Sequence, residues 1–212
     1  MDWQEKVLDR SGHDSARRLA EAAGGDFYLA GGTALALRLG HRISLDLDLF
    51  SAACRLTRPD RLALKVKLET SGPLGILEEK DGTCHLRLDK TPASLFYYPY
   101  KLLLPTAVWN GLKVASIEDI AAMKLSAVVS RGSKKDFIDL FYIFSLFKPA
   151  DIFGWAELKF SDHPDFTMQA AKALVYFDDA EKEPAPRMLK PAPWREIKTF
   201  FEKEIPRFLK FR

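Results

Sequence analysis

The 212-residue sequence is short of cysteine, of long apolar runs and of surplus charge, and each shortage removes a class of function. Cys54 and Cys84 are its only thiols, far apart and in no spacing that a metal site or a redox pair uses. They read as reduced thiols of a cytoplasmic protein. No apolar stretch approaches the roughly 20 residues that cross a bilayer, so no membrane partner is expected. The opening Met1-Asp2-Trp3-Gln4-Glu5-Lys6 has no basic region followed by an apolar segment, which argues against a secretion signal. A net charge of +3 is too small to announce nucleic-acid binding. The end of the chain is more basic, with Arg187, Lys190, Arg195, Lys198, Lys203, Arg207, Lys210 and Arg212 outnumbering Glu196, Glu202 and Glu204. That stretch either meets RNA phosphates or is a solvated helix face. There is no internal repeat and no low-complexity tract, and the hydrophobic share of 47% is that of an ordinary globular protein.

What is present is an alternation of apolar patterns. Residues 14–23 predict a helix with Ala16, Leu19, Ala20 and Ala23 on one side. A short apolar strand over 27–30, buried on both faces, is followed by the Gly31-Gly32 turn and a helix over 33–39 closed by Gly40. Residues 43–50 alternate apolar and polar positions and predict a strand. A helix over 58–70 is entered through Pro59. Strands follow near 75–80, 85–88 and 93–98, separated by Asp81-Gly82 and by Asp89-Lys90-Thr91-Pro92 as turn chemistry. Residues 108–114 add an edge strand. The rest is helical: 116–130 behind a capping box at Ser116-Ile117-Glu118-Asp119, 133–147, 164–175, and an amphipathic helix from Trp194 after the proline-rich 183–193 segment. The expectation is an α/β (α+β) fold, a mixed sheet flanked by helices over 1–115 with a mostly helical region over 116–212 packed on it.

Two motifs carry chemistry. In Tyr28-Leu29-Ala30-Gly31-Gly32-Thr33-Ala34-Leu35 the glycines let backbone approach a ligand, and the helix behind them offers unpaired N–H groups to phosphate. The Thr33 hydroxyl either caps that helix or binds a phosphate oxygen. In His41-Arg42-Ile43-Ser44-Leu45-Asp46-Leu47-Asp48-Leu49-Phe50, strand geometry puts Asp46 and Asp48 on one face, with Cα atoms ~6.8 Å apart, and Leu45, Leu47 and Leu49 on the other. Two adjacent carboxylates repel unless a cation lies between them, and Mg²⁺ prefers a few carboxylates plus substrate phosphates. The competing view is a solvent-facing strand whose acids pair with Arg42 or Arg38. Ser44 shares the acidic face and can touch a phosphate or the metal's water. Arg42 either holds the triphosphate or locks the acids in place, and His41 reads as a loop residue.

These motifs resemble the AbiEii/AbiGii-type nucleotidyltransferase toxin family of the DNA polymerase β-like nucleotidyltransferase superfamily. The resemblance continues through Phe96-Tyr97-Tyr98-Pro99-Tyr100, residues 116–124, Lys135-Asp136-Phe137-Ile138-Asp139-Leu140, residues 173–180 and Trp194. It implies a nucleotidyltransferase fold in which Gly31 and Gly32 hold a nucleoside triphosphate and Asp46 and Asp48 hold Mg²⁺, or Mn²⁺ in its place. NMP would pass to a hydroxyl of RNA, such as tRNA, or of protein, and a cognate antitoxin would be the partner. It also implies that Lys124 and Asp136, with Asp139 as companion, stand near the nucleotide. From the residues alone, Lys124 either snorkels outward from an apolar helix face or reaches a phosphate as a point charge. Asp136 is explained by a capping box with Ser133. Superfamily members carry a third acid on a neighbouring strand, and the matching slot in Ala93-Ser94-Leu95-Phe96 holds Ser94. Either Asp136 substitutes, or one metal suffices, or transfer is weak or lost.

A nucleotide- or partner-holding module without chemistry is the rival that Ser94 favours. A sugar transferase using Asp46-Leu47-Asp48 as its metal motif is a third reading, but it does not require a Gly-Gly turn just upstream.

Overall fold

The computed structural model describes residues 2–210. Met1 of the opening stretch and Arg212 of the basic stretch lie outside them. The chain forms two compact units, Met1–Lys101 with Pro105–Ser116, and Leu102–Leu104 with Ile117–Arg212.

The first unit is built on seven strands. In chain order the elements are α1 (Arg10–Ala23), β1 (Tyr28–Ala30), α2 (Gly31–Leu39), β2 (Leu47–Ser51), α3 (Arg58–Thr70), β3 (Leu74–Lys80), β4 (Thr83–Leu88), β5 (Thr91–Tyr97), β6 (Ala107–Trp109) and β7 (Leu112–Val114). The sheet order is β3-β4-β5-β2-β1-β7-β6. It is mixed: β2 runs parallel to β5 and β1 parallel to β7, while the other pairs are antiparallel. Period-two alternation explains its faces. Leu29, Leu47, Leu49, Leu86, Ala93, Leu95 and Val114 point to one side and are fully buried or nearly so. Each large apolar side chain taken from water there stabilises the fold by about 1.5–3 kcal/mol. On that side α1 is tied to the sheet, the Ser15 hydroxyl donating to the Leu88 carbonyl at 3.3 Å and the Ser11 and Thr91 hydroxyls meeting at 3.0 Å. The opposite face carries Tyr28, Phe50 and Phe96 in one row, stacked at ring-centroid distances of 6.1 and 5.1 Å. Asp48, Ser94 and His85 form the next row.

The second unit is helical: α4 (Ile117–Ser130), α5 (Lys134–Phe144), α6 (Pro149–Lys159), α7 (Phe166–Ala173), α8 (Asp178–Glu181) and α9 (Trp194–Lys210). Phe137 lies at its centre, with ring centroids of Phe177, Trp194 and Phe201 within 5.1, 5.8 and 5.9 Å. The aromatics of α9 are therefore core: Ile197, Phe201 and Ile205 are buried, and Phe208 stacks on Phe153 at 4.6 Å. Among the described residues no helix is long and apolar enough to cross a membrane.

Several element boundaries differ from the sequence expectation. The strand predicted over 43–50 begins only at Leu47, because Arg42, Ser44 and Asp46 are engaged with α2, and Leu45 is 67% exposed rather than in the core. Residues 108–114 are not one edge strand but a hairpin, with Asn110 (φ 50°) and Gly111 (φ 81°) as its two loop residues. Strand β7 lies inside the sheet and β6 at its edge. Thr91 and Pro92 belong to β5, which leaves Asp89-Lys90 as a two-residue hairpin loop. Helix α6 went unpredicted, although Pro149 in its first turn and the acid Asp151 just after mark a helix start.

Candidate nucleotidyl-transfer site

The antiparallel register of β1 and β2 pairs Ala30 with Asp48. The residue after Ala30 therefore lies beside the Asp48 carboxylate. That residue is Gly31, with φ +67°, where a Cβ would stand 3.0 Å from Asp48 Oδ2. Glycine is required twice over, by the left-handed backbone and by the close carboxylate. Helix α2 starts at Gly31 itself, two residues earlier than the sequence predicts, and no side chain caps it. Its first-turn N–H groups have no partner within the helix. At Gly32 the space of a Cβ is taken by the Arg42 guanidinium.

The segment between α2 and β2 is tied to the same turn. The Thr33 hydroxyl bonds to the Asp46 carbonyl and lies 2.7 Å from the Ser44 hydroxyl. Thr33 thus neither caps α2 nor stands idle: it anchors the loop that carries Asp46. Arg42 is buried and donates through Nη1 to the Ile43 carbonyl at 3.1 Å and toward Ser44 Oγ at 3.4 Å. Ser44 Oγ lies 3.4 Å from Asp46 Oδ1. Gly31, Gly32, Thr33, Arg42, Ser44, Asp46 and Asp48, named from motifs separated in sequence, come together at the start of one helix and one strand. Asp46 precedes β2 by one residue, so the two acids reach this place from a loop and a strand rather than from one strand face.

Asp48 is paired in parallel register with Ser94, the residue in the slot expected to hold an acid. Ser94 is paired in turn with His85, whose Nδ1 lies 3.0 Å from Ser94 Oγ. His85 went unnoticed in the sequence. Reading Asp89-Lys90 as a two-residue loop fixes the β4–β5 register and places His85 opposite Ser94.

Lys124, Asp136 and Asp139 meet within the helical unit. Lys124 does not snorkel outward. It is 4% exposed, with its ammonium 2.8 Å from Asp136 Oδ1 and 2.6 Å from Asp139 Oδ2. Arg131 adds Nε at 2.8 Å and Nη2 at 3.1 Å to the Asp136 carboxylate, and the Ser133 hydroxyl donates to it at 2.7 Å. Burial alone would raise the Asp136 pKa, but the Lys124 charge and the Arg131 hydrogen bond outweigh it and hold the carboxyl far below the usual range. Two cations thus balance two carboxylates. The Asp119 carboxylate, expected in a capping box, accepts from the Leu103 N–H at 3.0 Å and from buried Lys159 at 2.7 Å.

The sequence matches the family described as nucleotidyl transferase AbiEii toxin, type IV toxin–antitoxin system, over residues 16–109 and 101–210. The chain belongs to the AbiEii nucleotidyltransferase toxin family. An uncharacterized protein of Aquifex aeolicus is 35% identical over 195 residues, covering 87% of this chain and 88% of its own. Among solved structures, the nucleotidyltransferase toxin MenT4 of Mycobacterium tuberculosis superposes with a TM-score of 0.59 at 18% identity, over 92% of this chain and 82% of its own. JHP933 of Helicobacter pylori gives 0.50 at 15% identity, over 96% and 99%. At such identities these likenesses concern the fold, which is that of the nucleotidyltransferases. The residues matched to the AbiEii family fall in both units.

Proposed function

We propose that this AbiEii family member is a Mg²⁺-dependent nucleotidyltransferase that moves NMP from an NTP to a hydroxyl of RNA, such as tRNA, or of protein. We assign it to the toxin side of a toxin–antitoxin pair, with a cognate antitoxin as partner and the cytoplasm as its place of action. The observation that carries the reading is the approach of the Asp48 carboxylate to Gly31, with Asp46, Ser44 and Arg42 gathered on the next two residues. A helix N-terminus and two carboxylates in one corner, with Arg42 beside them, suit the meeting of a polyphosphate and a cation.

The donor set suits magnesium. Among the described residues no group of three or more His, Cys, Asp or Glu gathers as an all-protein cage. Two carboxylates completed by phosphate oxygens and water is the arrangement Mg²⁺ accepts, with Mn²⁺ an alternative. Asp46 and Asp48 would hold the ion, which when bound offsets phosphate charge and polarises the α-phosphorus. The chain's own groups do the rest. The N–H groups of Gly31 and Gly32 receive phosphate oxygens. Arg42 supplies a fixed positive charge beside them, and Ser44 offers a hydroxyl to phosphate or to the ion's water. Rate enhancement then comes from positioning and from charge already in place. The family resemblance also implies a part in transfer for Lys124 and Asp136 of the helical unit.

The test is incorporation of label from each NTP, with Mg²⁺, into bulk tRNA and into protein. Asp46→Ala and Asp48→Ala are expected to abolish incorporation with the circular dichroism spectrum unchanged. Wild-type rates in Asp48→Ala would refute the mechanism. A binding module without chemistry is the second reading, favoured by Ser94 beside Asp48, and it predicts NTP binding with no incorporation.

A further inference from the structure

We propose that Ser94 and His85 form the proton relay that activates the acceptor hydroxyl; the inference rests on the nucleotidyl-transfer reading and assigns it two further residues. Ala30, Asp48, Ser94 and His85 stand in one row across four neighbouring strands. Adjacent strands lie about 4.8 Å apart, so Ser94 is one step from Asp48 and His85 roughly 10 Å away. Both side chains lie on the Asp48 face, are only half-buried, and are hydrogen-bonded to each other at 3.0 Å. Beside Ser94, His85 has the ring of Phe96 at 5.5 Å, Glu78 opposite it on β3, and Thr83 and Arg87 two residues along its own strand.

Attack by a hydroxyl on phosphorus requires that its proton go somewhere. Asp46 and Asp48, if they hold a cation, are poor bases for that purpose, because the cation stabilises their charged form. A serine hydroxyl beside a neutral imidazole can take one proton while giving up another. Histidine's two ring nitrogens let it accept a proton on one while the other keeps its own. With His85 protonated on Nε2, its Nδ1 accepts from Ser94 Oγ. The acceptor O–H gives its proton to Ser94 Oγ as the Ser94 proton passes to His85 Nδ1. The acceptor oxygen bonds to the α-phosphorus, the bond from that phosphorus to the bridging oxygen breaks, and its electron pair leaves on pyrophosphate. His85 then returns its proton to water. Ser94 is the group that would touch substrate, and His85 acts through it.

The test measures kcat and KM for labelled NTP, with Mg²⁺ and the acceptor that the wild-type protein labels, in His85→Asn, Ser94→Ala, His85→Asn/Ser94→Asp and Asp48→Ala. Asparagine keeps a hydrogen-bonding group near the Nδ1 position but cannot take the proton. His85→Asn and Ser94→Ala should lose about 100-fold or more in kcat, with KM for NTP and the melting temperature nearly unchanged. The double variant, which restores a carboxylate base at position 94, should recover at least about tenfold over His85→Asn; a merely structural role for His85 would not give that recovery. The relay alone is overturned if Asp48→Ala is inactive while His85→Asn turns over within about threefold of wild type, or if the double variant recovers nothing. If the wild-type protein transfers nothing to tRNA or protein, or Asp48→Ala transfers normally, the underlying reading falls and the relay with it.

Discussion

Substituting Gly31 by alanine separates the cost of a strained backbone from damage to the site. At φ +67° an alanine pays about 1–2 kcal/mol for the left-handed conformation. For a chain of this size that lowers Tm by about 2–8 °C. Its Cβ would also sit 3.0 Å from Asp48 Oδ2, so the carboxylate must retreat by a few tenths of an ångström. If that carboxylate helps hold the ion beside the α-phosphate, such a displacement should lower kcat by about tenfold or more. Gly24→Ala is the control. Its backbone is at least as demanding, with φ 67° and ψ −165°, yet a Cβ there meets nothing within 4 Å. It should melt early but transfer nucleotide at the wild-type rate. Melting curves and labelled-NTP turnover on the two variants decide the matter. Equal activity in Gly31→Ala and Gly24→Ala would refute the placing of Asp48 in the transfer site.

Three further outcomes follow from the structure. Lys124→Met leaves Asp136 and Asp139 buried beside each other without the ammonium between them, and should lower stability by about 3–5 kcal/mol in denaturant unfolding. Because the Asp136 pKa is depressed in the fold, its stabilisation is present above the ordinary aspartate value of about 3.9 and is lost as pH falls toward its own lowered value. Wild-type stability should therefore decline below about pH 4 more steeply than that of Asp136→Asn, as read by thermal melting at a series of pH values. Asn110→Val puts a β-branched residue at φ 50° in the β6–β7 loop and should cost about 1–2 kcal/mol by the same measurement.

The local motifs were legible wherever short-range chemistry fixes geometry. Strand–glycine–helix at 28–39 could be read from the glycines, and Leu47 and Leu49 from alternation. Asp46 was misplaced onto the strand because alternation also runs through 43–46, where hydrogen bonds from Thr33 and Arg42 override it. That competition is tertiary and leaves no period in the sequence. The Asn110-Gly111 loop, by contrast, was in plain view: two residues suited to positive φ flanked by apolar ones. The Ser94–His85 contact needed a register, and the register hung on taking Asp89-Lys90 rather than four residues as the loop. The burial of Lys124 could not be read at all, since an apolar helix face with one lysine looks the same whether the ammonium escapes to water or meets carboxylates from the next helix.

In the proposed function the turn after Ala30 and the two acids serve one Mg²⁺–triphosphate. Diffraction from crystals grown with Mn²⁺ and a non-hydrolysable NTP tests it most directly. An anomalous peak is expected between the carboxylates of Asp46 and Asp48, with triphosphate oxygens against the N–H groups of Gly31 and Gly32. A peak elsewhere, or a triphosphate bound away from that turn, would contradict it.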